Sequence, residues 1–269
     1  MNRSIFRHEW RIRRRSVLTW SLSLVALFLV FFSFFPTFAD QAEVMNQMMA
    51  SFPPELITAF GMDQTDFSTV LGYFGFMLLF VQLCLAIQAG NEGVGLVSVE
   101  ETELTADFLL TTLVVTLSAY GSIALFSHGR PYDPGRLALL MLTLPLFQLF
   151  FLSLGLLISL LVKRVRNVTP YALGMAFGAY VLNAFGGVLG EVKLELITPF
   201  KYFSAADLFR SGKIETLSLL LTTVIVAVST ATAYWAYNRR DLYIWFLFVA
   251  HAPQIINCLS PPTVYPFAL

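Results

Sequence analysis

The residues best suited to chemistry are scattered. His8, His128 and His251 fall in three separate segments, and Cys84 and Cys258 make neither a metal-ligand spacing nor a disulfide framework. The sequence contains no Gly-x-x-x-x-Gly-Lys-Ser/Thr phosphate loop, no His-Glu-x-x-His and no Gly-x-Ser-x-Gly. The chain therefore reads as a non-enzyme that binds no cofactor or metal of its own and does not itself hydrolyse ATP. What remains are polar side chains set in long apolar runs, chiefly Gln82, Gln88, Gln148 and Asn183. An amide in such a run either hydrogen-bonds a neighbouring helix or faces a transported molecule. On the second reading, Gln82, Gln148 and Asn183 are candidates for a substrate path.

The elements that carry these groups follow from composition. Of 269 residues, 57% are hydrophobic and only 13% charged, with 26 Phe and a mean hydropathy of +0.71. An ordinary soluble domain carries about 25% charge, so this apolar surface calls for lipid. Formal net charge is zero, with 17 basic and 17 acidic residues, which gives no global attraction to nucleic acid. The expected fold is an all-α integral membrane protein with about six transmembrane helices, an N-terminal amphipathic elbow helix and a short cytoplasmic coupling helix.

A hydrocarbon core of roughly 30 Å needs about 20 apolar helical residues. Six stretches qualify: Val17 to Phe38, Ser68 to Ala89, Leu109 to Phe126, Leu137 to Val162, Val168 to Val188 and Thr216 to Tyr237. As drawn, none contains Lys, Arg, Asp, Glu or His. Intramembrane ionisable groups mark ion or proton coupling, so this reading argues against an ion-driven carrier. The expected organisation is an elbow over residues 1–16, a six-span transmembrane domain over 17–242, and an apolar tail over 243–269 at the interface or disordered.

Orientation follows from the basic residues, which stay on the cytoplasmic side. Arg3, Arg7, Arg11, Arg13, Arg14 and Arg15 precede the first span, whereas Ala39 to Phe67 contains Asp40, Glu43, Glu55, Asp63 and Asp66 and no Lys or Arg. Both termini are then cytoplasmic. The segment Gly90 to Phe108 is the exception, acidic and without a basic residue. Ile5, Phe6, Trp10 and Ile12 interleave with the six Arg, a pattern suited to a helix lying on an anionic leaflet. Gly174 and Gly178 form a Gly-x-x-x-Gly pair, a spacing that lets helix backbones approach either within one subunit or between subunits.

The order of these features resembles the ABC-2-type permeases of bacterial and archaeal exporters. The resemblance covers roughly residues 1–242. It rests on the basic N-terminus, Phe52-Pro53-Pro54-Glu55-Leu56, Ala59-Phe60-Gly61-Met62 and Asp66-Phe67-Ser68. Further matches are Glu100-Glu101 with Thr105-Ala106-Asp107-Phe108-Leu109-Leu110-Thr111, then Ile197-Thr198-Pro199-Phe200-Lys201-Tyr202-Phe203, and Tyr237-Asn238-Arg239-Arg240-Asp241-Leu242. It departs from the family after Thr111, where a Lys-Pro-Val-Ser-Arg-like stretch is replaced by Thr112-Leu113-Val114-Val115.

The resemblance implies a plasma-membrane export subunit with a second permease copy, as homodimer or related heterodimer, and two cytoplasmic ABC ATPase subunits that use ATP and Mg. By position it assigns ATPase coupling to Arg7, Trp10, Arg11, Glu100, Glu101 and Asp107. An amphipathic or hydrophobic substrate would cross by alternating access. The alternative expectation is a non-transporting membrane scaffold or immunity protein.

Overall fold

Long uncharged runs of Leu, Phe, Val and Ala satisfy their backbone hydrogen bonds in lipid only as helices or closed barrels. In a computed structural model, this chain takes the helical solution. The structure describes residues 3–59, 62, 66–95, 104–162, 167–189 and 198–236, with the backbone alone for 3–16, 45–46, 58–59, 104–108 and 187–189.

The helices are α1 (Arg3–Asp40), α2 (Ala42–Met49), α3 (Pro54–Ala59), α4 (Val70–Gly95), α5 (Leu104–Phe126), α6 (Pro134–Leu161), α7 (Thr169–Leu189), α8 (Pro199–Tyr202), α9 (Ala205–Ser211) and α10 (Thr216–Ala236). No strand occurs among the described residues. Five stretches are long and apolar enough to cross a membrane: Val17–Asp40, α4, Leu109–Phe126, α6 and α10. The chain is a multi-pass membrane protein. The fifth predicted span corresponds to α7, whose 21 residues reach about 31 Å at 1.5 Å per residue. It is not among those five, and its last three residues are described by backbone alone.

Three boundaries differ from the sequence reading. The surface helix expected up to Ser16 and the first span share one continuous backbone helix; the only proline in α1 is Pro36, near its far end, so nothing before it interrupts the hydrogen-bond ladder. The short coupling helix expected before the third span is likewise continuous with it, since α5 starts at Leu104. Most consequentially, α4 runs six residues beyond Ala89 to Gly95. The second membrane-crossing helix therefore includes Asn91 and Glu92. The sequence reading, which drew every span free of ionisable residues, is corrected by this extension.

Helix α4 is the central element. It packs along α6 and α7 and also touches α1 and α9, while α1 and α5 pair along their length. Phe28, Phe32 and Phe35 of α1 meet Tyr73 and Phe74 of α4, with the Phe35 and Tyr73 ring centroids 5.3 Å apart. The Tyr73 hydroxyl donates to the Phe31 carbonyl at 2.6 Å. Outward faces remain apolar: Leu18, Leu22 and Phe34 of α1, Leu113 and Leu117 of α5, and Leu220 and Val228 of α10 are exposed. Such a belt suits lipid contact, whereas monomeric soluble proteins rarely carry contiguous apolar patches of that size.

The α4–α6 crossing depends on glycine. A Cβ at Gly93 would stand 2.2 Å from the Leu152 carbonyl oxygen, and one at Gly155 would stand 2.8 Å from that of Gly90. A Cβ at Gly90 would meet Met175 and Ala172 of α7. Near its Gly95 end, α4 is thus clasped by both neighbours at backbone distance.

Candidate functional site: polar groups inside the bundle

Two polar layers lie within this apolar packing. The first surrounds Gln82, twelve residues into α4 and so about 18 Å from its start. Its Nε2 donates to the Phe203 carbonyl at 3.0 Å, and both residues are buried. Thr198 to Phe203, comprising α8 and its flanks, is therefore lodged half-way along the bundle. Phe200 meets Phe147 and Phe151 of α6 and Tyr180 of α7 at centroid distances of 5.2, 5.9 and 5.9 Å. The Thr198 hydroxyl donates to Asn183 Oδ1 at 3.3 Å.

Helix α9 then returns toward the starts of α4 and α6. Ala205 and Phe209 face Gly75, and Arg136 donates to the Phe209 carbonyl. Irregular backbone at membrane depth is tolerated only where protein or a water-filled cavity satisfies it. Gln82 supplies that satisfaction here.

The second layer lies toward the Gly95 end of α4 and links three helices. Gln88 Nε2 donates to Thr111 Oγ1 of α5 at 2.9 Å and to Glu92 Oε1, one turn along α4, at 3.1 Å. The adjacent Thr112 hydroxyl donates to Gln148 Oε1 of α6. Gln88 and Gln148 are 1% and 0% exposed, a degree of enclosure that makes every unmade bond matter.

Three amide atoms in this layer are enclosed without a hydrogen-bond partner among the described residues: Gln88 Oε1, Asn91 Oδ1 and Gln148 Nε2. Leaving a buried polar group unsatisfied costs about 1–3 kcal/mol. Turning the Gln148 amide over would change which of its atoms meets Thr112 but still leave one unpaired. Gln88 Nε2 donates to the Glu92 carboxylate, which only the NH2 group can do, so the amide is held as placed and its oxygen is the odd atom.

The remaining candidates are placed as follows. Arg7, Trp10 and Arg11 belong to α1 and Asp107 to the first turn of α5, in all four cases by backbone alone; Glu100, Glu101 and the tail 243–269 lie outside the described residues. Gly174 and Gly178 sit on the exposed side of α7, where an added Cβ meets nothing within 4 Å. That pair serves no contact within the described chain; the α4–α6 crossing uses Gly90, Gly93 and Gly155 instead.

Sequence reasoning missed Asn91, Glu92 and the Phe203 carbonyl. Gln88, Asn91 and Glu92 stand at i, i+3 and i+4, the spacing that shares one helix face. Reading Gly90 as a loop start hid it. Among the described residues no group of His, Cys, Asp and Glu could hold a metal ion. Compared with protein-family models, curated proteins and solved structures, the chain matches none of them.

Proposed function

We propose that this chain is the transmembrane permease subunit of an ATP-driven ABC exporter. Motif order along residues 1–242 motivates the reading, and one structural observation supports it. Helices α4 and α5, which flank residues 96–103, are joined inside the bundle by the Gln88–Thr111 hydrogen bond. A displacement at the connection carrying Glu100 and Glu101 is delivered directly to the central helix and its polar interior. On this reading the connection faces the cytoplasm, both termini are cytoplasmic, and an ABC ATPase closing on ATP and Mg supplies the push. The membrane is the plasma membrane of a bacterium or archaeon. The substrate class is amphipathic or hydrophobic, in keeping with the Phe-lined interior.

The test is co-purification with the ABC ATPase subunits encoded in the same genome, together with the ATP hydrolysis rate of the complex. The expected result is association with the unaltered chain and its loss in the Glu100→Lys, Glu101→Lys variant. Failure of the unaltered chain to associate overturns the proposal. A second reading, a non-transporting scaffold or immunity protein, is favoured by the brevity of the α4–α5 connection, residues 96–103, which offers little surface to an ATPase.

A further inference from the structure

The second polar layer has an arrangement that helix packing alone does not explain. Amides that serve only to hold helices together end with their atoms paired. Here Gln88 and Gln148 each bond to a different one of two adjacent threonines on α5, and each keeps an enclosed atom that no described residue satisfies. The unpaired atoms are complementary. As the amides are oriented, Gln88 Oε1 accepts and Gln148 Nε2 donates. They come from α4 and α6, which pack against each other and both meet α5.

We propose that the seam between α4, α5 and α6, bounded by Gln88, Thr111, Thr112 and Gln148, is a water-binding site that hydrates when α5 moves away from its neighbours. Water is the ligand that fits, because one molecule can both donate to the Gln88 oxygen and accept from the Gln148 nitrogen, and buried waters typically make about three bonds to otherwise unsatisfied polar groups. Gln88 lies seven residues from the Gly95 end of α4, and Thr111 seven residues into α5. Water therefore enters from the end of the bundle that carries the α4–α5 connection.

The glycine crossing at Gly90, Gly93 and Gly155 holds α4 to α6 beside the seam. Neither α4 nor α6 carries such a backbone-level clasp to α5 among the described glycines, which makes α5 the element that moves. This site does not depend on the permease reading, and its test uses no ATPase.

The experiment is thiol modification in lipid nanodiscs by a charged, membrane-impermeant methanethiosulfonate reagent. Cys84→Ala and Cys258→Ala provide a background without native thiols. Thr112→Cys reports on the seam, and Leu113→Cys, the next residue and 54% exposed on the lipid side, reports on lipid at the same depth. A thiol reacts as its thiolate, which forms in wet, polar surroundings and not in lipid, so Thr112→Cys is expected to react at least about tenfold faster than Leu113→Cys.

Adding Gln88→Leu with Gln148→Leu removes the groups that hold water and is expected to bring the Thr112→Cys rate down to that of Leu113→Cys. Thr111→Cys is the parallel reporter where Thr112→Cys does not yield a monodisperse protein, and Gln148→Met is the milder variant where the leucine pair does not. Seam thiols as slow as Leu113→Cys overturn the proposal. So does a fast Thr112→Cys rate that survives removal of both amides, because water would then be present for another reason.

Discussion

Gln82 and Arg130 each make a long-range polar contact, yet their surroundings give these contacts very different weight. Arg130 pairs with Asp40 and lies over the Phe35 ring, its guanidinium carbon 5.5 Å from the centroid. Both charged groups remain partly in solvent, at 33% and 70% side-chain exposure, so the pair is screened. We expect Arg130→Ala to lose about 0.2–1 kcal/mol of stability. Gln82 is 4% exposed and satisfies a backbone carbonyl that has been carried half-way along the bundle. Gln82→Leu leaves the Phe203 carbonyl buried without that donor and is expected to cost about 1–3 kcal/mol. Thermal unfolding in one detergent, with both variants side by side, checks the ranking. An Arg130→Ala loss as large as that of Gln82→Leu contradicts it.

At the scale of elements, three glycines near one end of α4 behave differently although all are helical. The Gly93 hydrogen faces the Leu152 carbonyl, and Gly155 faces the backbone of Gly90, Gly93 and Val94. A methyl group at either position forces α4 and α6 apart, and overpacking of this kind costs about 1–3 kcal/mol. Gly95, the last residue of α4, has nothing within 4 Å of an added Cβ and no left-handed φ, so Gly95→Ala narrows the unfolded chain and stabilises by about 0.4–1 kcal/mol. Opposite signs for Gly93→Ala and Gly95→Ala, read from unfolding midpoints, locate the crossing. A shared sign means that the helices do not approach there.

At the scale of the whole molecule, the described residues leave the Gly-x-x-x-Gly face on α7 open. Because Gly174 and Gly178 contact nothing inside the described chain, replacing both with Leu leaves internal packing intact. The proposed second permease copy makes this face testable. If the copies pair through α7, the Gly174→Leu, Gly178→Leu variant shifts from dimer to monomer by light scattering at unchanged unfolding temperature. A dimer of unchanged mass removes α7 from the interface. The Leu and Phe belts on α1, α5 and α10 are the surfaces that lipid covers in either case.

The sequence by itself determined that the chain is helical and crosses a membrane several times. That information is local, because about 20 apolar residues without a charge leave the backbone no other way to satisfy itself in lipid. Five of the six predicted stretches return as membrane-crossing helices, four with nearly the same ends and α4 six residues longer at its far end, and the sixth returns as α7. Only the tertiary structure decided what the polar groups inside those helices do. Gln82 meets a carbonyl 121 residues away, and Gln148 a threonine 36 residues away. Such pairings depend on which helices adjoin and at what register, which hydropathy does not encode. Glu92 shows the same limit at an element boundary: Gly90 reads locally as a break, whereas close packing against α6 and α7, made possible by the absence of a side chain there, carries α4 on through the acidic residue.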